Sequence, residues 1–365
     1  MLGATIQTET AQATGHVVKG ITASLWPIHY KPLPDELLSC WLVRLAHGHG
    51  LKVQTFCNLI FGNRHQIWNR DMDRLAPDWL IDELSERTGT PREQVWNTTL
   101  RSYEGLLYSK FRASGNLQWI LGLKLYHRKR QGHGLQYCPA CLAEDPIPYF
   151  RKRWRVAFYT VCTKHQTMML DRCPQCAAAI AIHRLDIANN DAIDDGTLSY
   201  CHSCGFDLRT APAVDAQFYD PGACEVLQTA CHALDIEGEF DVDWDLGWYA
   251  VMHQLCRILI TRYKHVHLRE FVLKQIGETD ITLAQGHISV EMRSLEERHH
   301  LAQLAAWLLV DCDQRLTAAW RDGAVRYNVL LKDFGEPPNW YTDIVFSLSN
   351  WRERANFFLQ RGKVD

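Results

Sequence analysis

Apolar residues at Leu38, Trp41, Leu42 and Leu45 recur three and four apart, which predicts a helix that Asp35 is placed to cap. Gly48 and Gly50 must stop it. A second short helix begins near Lys52 and carries Val53, Phe56, Leu59 and Ile60. Two short helices around a glycine-containing turn have helix-turn-helix spacing, which serves a DNA reader or a packing hairpin alike. Further helices fit Pro77 to Thr88, closed by Gly89, and Pro91 to Thr98. Between Tyr137 and Leu208 the helical period gives way to cysteines and short β-prone runs such as Arg155 to Val161. Beyond Pro221 it returns, over Gly247 to Tyr263 and as one long helix over Leu295 to Ala319. Met1 to Gly20 is polar and aperiodic, which predicts a disordered lead-in.

Charge adds a second pattern. The net charge is only −3, so bulk polyanion binding finds no support in the total. Arg101 to Arg155 nevertheless holds 11 Lys/Arg against 3 Asp/Glu, while Asp186 to Asp245 holds 14 Asp/Glu against Arg209 alone. Such polarity suits a polyanion on one face, head-to-tail pairing of two copies, or two solvated faces. The basic candidates for nucleic-acid or partner contact are Lys124, Arg128, Lys129, Arg130, Arg151, Lys152, Arg153 and Arg155, the last four interleaved with Tyr149, Phe150 and Trp154.

The cysteines carry the chemistry. Cys138 and Cys141 form one Cys-x-x-Cys pair and are followed, 20 residues on, by Cys162 and His165. Cys173 and Cys176 precede Cys201 and Cys204 by a 24-residue spacer. Each set supplies the four soft ligands that tetrahedral zinc prefers, so two structural Zn2+ ions are expected. Ligand exchange between the modules, or iron in the second, stays open. Both sets fill all four positions, which leaves no place for a catalytic water. His202 competes within a knuckle, but Cys204 is better placed. Cys40, Cys57, Cys224, Cys231, Cys256 and Cys312 sit in apolar helical surroundings and read as core. His127, His133, His299 and His300 have no ligand spacing and read as surface residues. An odd total of 13 Cys in this arrangement, with no signal-like start and no long apolar run, points to a reducing cytoplasm and no membrane. A metal-dependent nuclease needs carboxylates around an open ion, and only Asp191, Asp194 and Asp195 cluster.

Several separated motifs together resemble the TniQ/TnsD family: Tyr137 to Asp145, Pro148 to Trp154, the Cys162–His165 and Cys173–Cys176 pairs, Pro34 to Ala46, and Thr88-Gly89 with Thr99-Leu100. The likeness runs from Leu25 to Leu208, with looser agreement at Ala306 to Leu309 and Pro338 to Tyr341. Cys40 departs from the small residue or tyrosine-serine expected there, and the first 24 residues have no counterpart. The resemblance implies a non-enzymatic target-selection subunit of a Tn7-like transposition system. Short TniQ members imply a homodimeric adaptor that docks on a Cascade complex with its guide RNA and recruits an AAA+ ATPase and the transposase, touching target DNA indirectly. Longer TnsD-type members imply direct recognition of an attachment site. This chain's length and mild acidity favour the first.

The expected architecture is mainly α with small β zinc ribbons. Residues 1–24 form the lead-in, 25–130 an N-terminal helix-turn-helix domain, 131–212 two tandem zinc-binding modules and 213–365 a C-terminal helical domain.

Overall fold

The computed structural model describes residues 24–348 apart from 63, 64, 66, 124, 127, 128, 131, 188–197, 235–244 and 262, with backbone alone at 125, 126, 129 and 130. Residues 1–23 of the expected lead-in, Lys124, His127, Arg128 and the Asp191–Asp195 cluster therefore lie outside the described residues, as do the side chains of Lys129 and Arg130.

Helix α1, Leu38–Gly48, is buried on every side from Leu38 to His47. A helix apolar on so many faces belongs at the centre of a core, not at its edge. Its start departs from expectation. Asp35 takes φ 55° and does not cap it; its carboxylate instead pairs with Arg153 Nε at 2.9 Å. The first amides of α1 are met from far along the chain, Leu38 N by Thr98 O at 2.9 Å and Ser39 N by Asp73 Oδ1 at 2.7 Å. Gly48 must lack a side chain, because a Cβ there would stand 2.5 Å from the Tyr30 ring. Gly50, at φ +66°, then turns the chain into α2, Val53–Phe61, which buries Val53, Phe56, Cys57 and Phe61. Helix α3 (Met72–Leu75), α4 (Asp78–Thr88) and α5 (Arg92–Asn97) complete this part. Gly89 closes α4 in the left-handed conformation, as its sequence position predicts.

The sole named strands among the described residues are a two-residue hairpin, β1 (Leu125–Tyr126) against β2 (Lys129–Arg130), antiparallel with Leu125 opposite Arg130. The cysteine region holds one short helix, α6 (Pro139–Glu144), and isolated bridges such as Val161 with Met168, Arg172 with Ala179 and Tyr200 with Asp207. Its knuckles are thus turns closed by single bridges where short ribbons were expected.

The C-terminal part is helical: α7 (Pro221–His232), α8 (Leu246–Ile260), α9 (Leu268–Ile276), α10 (Leu295–Val310), α11 (Cys312–Arg321), α12 (Tyr327–Leu330) and α13 (Asn339–Ser347). Asp220 and Asp245 cap α7 and α8 through Ala223 N and Trp248 N. A reciprocal Ser294–Glu297 capping box starts α10, which packs against α7 and α8. The single helix expected over Leu295 to Ala319 is two. Asp311 leaves helical geometry at φ −145°, and its carboxylate accepts from Gln314 N to begin α11.

His299 and His300 are buried, contrary to the surface reading. His299 Nδ1 lies 2.9 Å from Thr160 Oγ1, and His300 Nδ1 lies 2.8 Å from Tyr219 OH. They belong to a seam between α10 and the cysteine region, where Arg298 also donates to Ala157 O at 2.6 Å and to Gln136 Oε1 at 3.0 Å. Trp119 Nε1 reaches Tyr249 O at 2.9 Å, and one hydrophobic core runs from Trp26 to Leu348. No helix among the described residues is long and apolar enough to cross a membrane.

Arg155 ties these parts most tightly. Fully buried, it meets Asp71 at 2.6 Å, Asp73 at 3.1 Å and Leu121 O at 2.8 Å. Arg155→Ala leaves two carboxylates without their counter-ion and should cost about 3–5 kcal/mol, read as a lower urea midpoint. Arg92→Ala, which breaks exposed pairs with Asp78 and Asp82, should leave that midpoint almost unmoved.

Candidate metal centres

Three of the four half-sites share one backbone pattern. In each, the cysteine N–H donates to the carbonyl five residues on, and the amide four residues on donates back to the cysteine carbonyl. The pairs are Cys162 with Thr167 and Gln166, Cys173 with Ala178 and Ala177, and Cys201 with Phe206 and Gly205, all at 2.8–2.9 Å. The residue at the fourth position takes positive φ each time: Gln166 at 57°, Ala177 at 57° and Gly205 at 73°. The sequence marks this turn with glycine only at Gly205. The remaining half-site differs. Cys138 precedes Pro139 at the first position of α6, and Cys141 lies on that helix's first turn, where a missing N–H costs nothing.

These turns bring together the two groups that the spacing predicts. Cys138, Cys141, Cys162 and His165 form one, and Cys173, Cys176, Cys201 and Cys204 the other, with donor atoms within 4.8 Å of one another in each. In the first, Cys141 Sγ lies 3.6 Å from Cys162 Sγ, while His165 Nδ1 lies 3.4, 3.4 and 3.5 Å from Cys138, Cys141 and Cys162. In the second, Cys173 lies 3.6 Å from Cys204, and Cys176 lies 3.6 Å from Cys201. Sulfurs about 2.3 Å from a tetrahedral ion stand about 3.8 Å apart, so each group fits a single four-coordinate metal. His202 is in neither group.

Surroundings set the two groups apart. The three cysteines of the first are buried, whereas Cys176 and Cys204 of the second are exposed. Hydrogen bonds shared among the three thiols lower Cys138 and raise Cys141 and Cys162, so the trio gives up a first proton readily and the others far less so. His165 Nε2 lies 2.9 Å from Glu144 Oε1, and Lys164 lies beside the other oxygen at 2.5 Å. A carboxylate behind a ligating imidazole fixes the tautomer that presents Nδ1 to the metal. Glu144 went unsingled in the sequence, although it follows Cys141 by three residues, the spacing that puts both on one face of α6.

The remaining thiols are built otherwise. Burial pushes Cys57 and Cys312 up to about 12 and raises Cys40 and Cys256 as well, so these four stay protonated, three inside the core and Cys312 half-buried against it. Cys231 is buried too, and Cys224 is half-buried. Cys40 accepts the Phe150 amide at 3.2 Å, which gives a use for sulfur at the position where the family likeness departs.

The described part of the basic surface is turned inward. Arg151 pairs with Asp145 at 2.8 Å and covers the Tyr149 and Trp154 rings. Lys152 Nζ donates to Asn97 O at 2.8 Å and to Ser102 Oγ at 2.9 Å, above the Tyr103 ring. Arg153 is bound by Asp35, and Arg155 by Asp71 and Asp73. Phe150 and Trp154 are wholly buried. These four cations brace the chain from within where a solvent-facing surface was expected.

Two perturbations test the centres. Ala177→Gly should stabilise the metal-loaded fold by up to about 1 kcal/mol and Gly205→Ala should destabilise it similarly, because both sit at the same left-handed turn position. Opposite shifts in the thermal midpoint check this. Glu144→Ala should weaken metal retention at the first group about tenfold in a competition titration with a chromophoric chelator, leaving the second group unchanged.

No curated protein matches the chain. The model of the TniQ family matches residues 27–169, a stretch that contains the whole first metal group, the buried α1 and the inward-facing cations and ends before the second group. Over that stretch the chain carries a TniQ domain.

Proposed function

We propose that the protein is a non-enzymatic adaptor of a Tn7-like transposition system, docking on an RNA-guided Cascade complex and recruiting an AAA+ ATPase and the transposase. The TniQ domain indicates a transposition target-selection protein. Adaptor action is supported chiefly by the fate of the cations. Arg151, Lys152, Arg153 and Arg155 are consumed by carboxylates, carbonyls and aromatic rings of the same chain. A reader of duplex DNA needs such charges facing phosphates. Two Zn2+ ions would close the cysteine groups, each with four protein ligands and no open position, which suits a scaffold and not a hydrolytic centre. Homodimer formation and indirect contact with target DNA belong to the same reading.

One observation favours the TnsD-type alternative, direct recognition of an attachment site. Helix α2 turns Gln54, Thr55 and Asn58 outward beside an exposed Leu59, polar side chains of the kind that read base edges. The helix itself carries no cation, and Lys52 precedes it, so steep phosphate-driven affinity finds little support.

Co-purification separates the two. The tagged full chain should retain a Cascade complex with guide RNA and show no sequence preference among duplexes offered alone at physiological salt. Tight guide-independent binding of one duplex, with affinity falling steeply as salt rises, would instead establish the direct reader.

A further inference from the structure

The second metal group stands beside a segment that braces α2. Residues 177–187 lead away from the Cys173–Cys176 knuckle, so an ion that joins this knuckle to Cys201 and Cys204 fixes the segment's start. Along its described course Ile180, Ile182 and Leu185 enter the core. His183 lies flat on Trp68, ring centroids 4.8 Å apart and planes 1° from parallel. Asp186, with its side chain 3% exposed, accepts from Val53 N at 2.6 Å and meets His47 Nε2 at 3.3 Å.

Val53 is the first residue of α2, and Lys52 before it provides no side-chain cap. Asp186 therefore supplies the N-terminal cap of α2 from 133 residues away. A helix of 9 residues is too short to hold itself in water, so its order depends on such fixtures and on its buried face. The exposed Cys176 and Cys204 also make the second ion the one within reach of a chelator, while the ligand cysteines of the first are buried.

We propose that metal occupancy of the second group is linked to the order of α2. The ion-held knuckle presents Asp186 and His183 to the helix pair through residues 177–187; loss of the ion frees the knuckle, withdraws the carboxylate from Val53 and frays α2 from its N-terminus. The outward face of Gln54, Thr55 and Asn58 is then presented only by the metal-loaded protein. This rests on the metal-binding part of the reading above and is independent of what that face touches.

Hydrogen exchange read by mass spectrometry on the full chain, with metal content counted at each chelator concentration, tests the linkage. The first ion should leave the second group, and exchange across 53–61 should then quicken by about tenfold or more, the effect of a lost cap, while α10 stays protected. Returning zinc should restore protection. Asp186→Ala should keep both ions yet exchange α2 quickly before any chelator is added, and Cys176→Ser should reproduce the effect of metal removal. Unchanged exchange across 53–61 after loss of the second ion overturns the linkage alone, as does simultaneous acceleration of every helix. Protein that lacks metal in the second group as purified and still protects α2 overturns the metal reading with it.

Discussion

Seven cysteine sulfurs and one imidazole nitrogen are gathered into two groups whose members lie within 4.8 Å of one another. Thiolates at such spacing repel, and thiols at such spacing gain little, so a divalent cation would make the arrangement favourable. Binding on the order of 10 kcal/mol per ion is comparable to the whole stability of a domain. The cost it offsets is visible in the backbone. Gln166 and Ala177 adopt the left-handed conformation that glycine takes at Gly205, a strain of about 1–2 kcal/mol each that a loosely held turn would not sustain.

From those knuckles the rest of the fold is held by charges that reach across the sequence. Two helices at the N-terminal side lack local caps and borrow remote carboxylates, α1 from Asp73 and α2 from Asp186. Asp73 is fixed in turn by Arg155, whose segment leads directly from the first metal group. The metal groups, the buried ion pairs and the helix pair are therefore one mechanical unit. The proposed function fits this design: a target-selection adaptor would present surfaces to its partners in fixed relation, an end that rigidity serves.

Much of this was legible in the sequence, and the missing part has a common cause. The ligand sets follow from spacing, because a Cys-x-x-Cys turn is local chemistry. Helix positions follow from apolar period, as α4 and its closing Gly89 show. The cap of α1 was misread because its partners are remote: Asp35 has the right residue type and place, yet Arg153 claims it, and Leu37 N and Leu38 N go to Phe150 O and Thr98 O. Charge was misread for the same reason. Arg151, Lys152, Arg153 and Arg155 look like a surface run, but three meet carboxylates and Lys152 donates to Asn97 O and Ser102 Oγ. His299 and His300 were taken as surface residues because a polar pair says nothing of Thr160 and Tyr219 waiting across the seam. The break at Asp311 was readable, since an aspartate before a helical run is a capping signal.

The central claim is that two ions close these two sets of four ligands. X-ray absorption at the zinc edge on purified, full-length protein measures it most directly. The account predicts two zinc ions per chain and a shared first sphere of seven sulfurs near 2.3 Å and one nitrogen near 2.0 Å. Fewer than two ions, or a sphere rich in oxygen that signals an open water-bearing site, would contradict it.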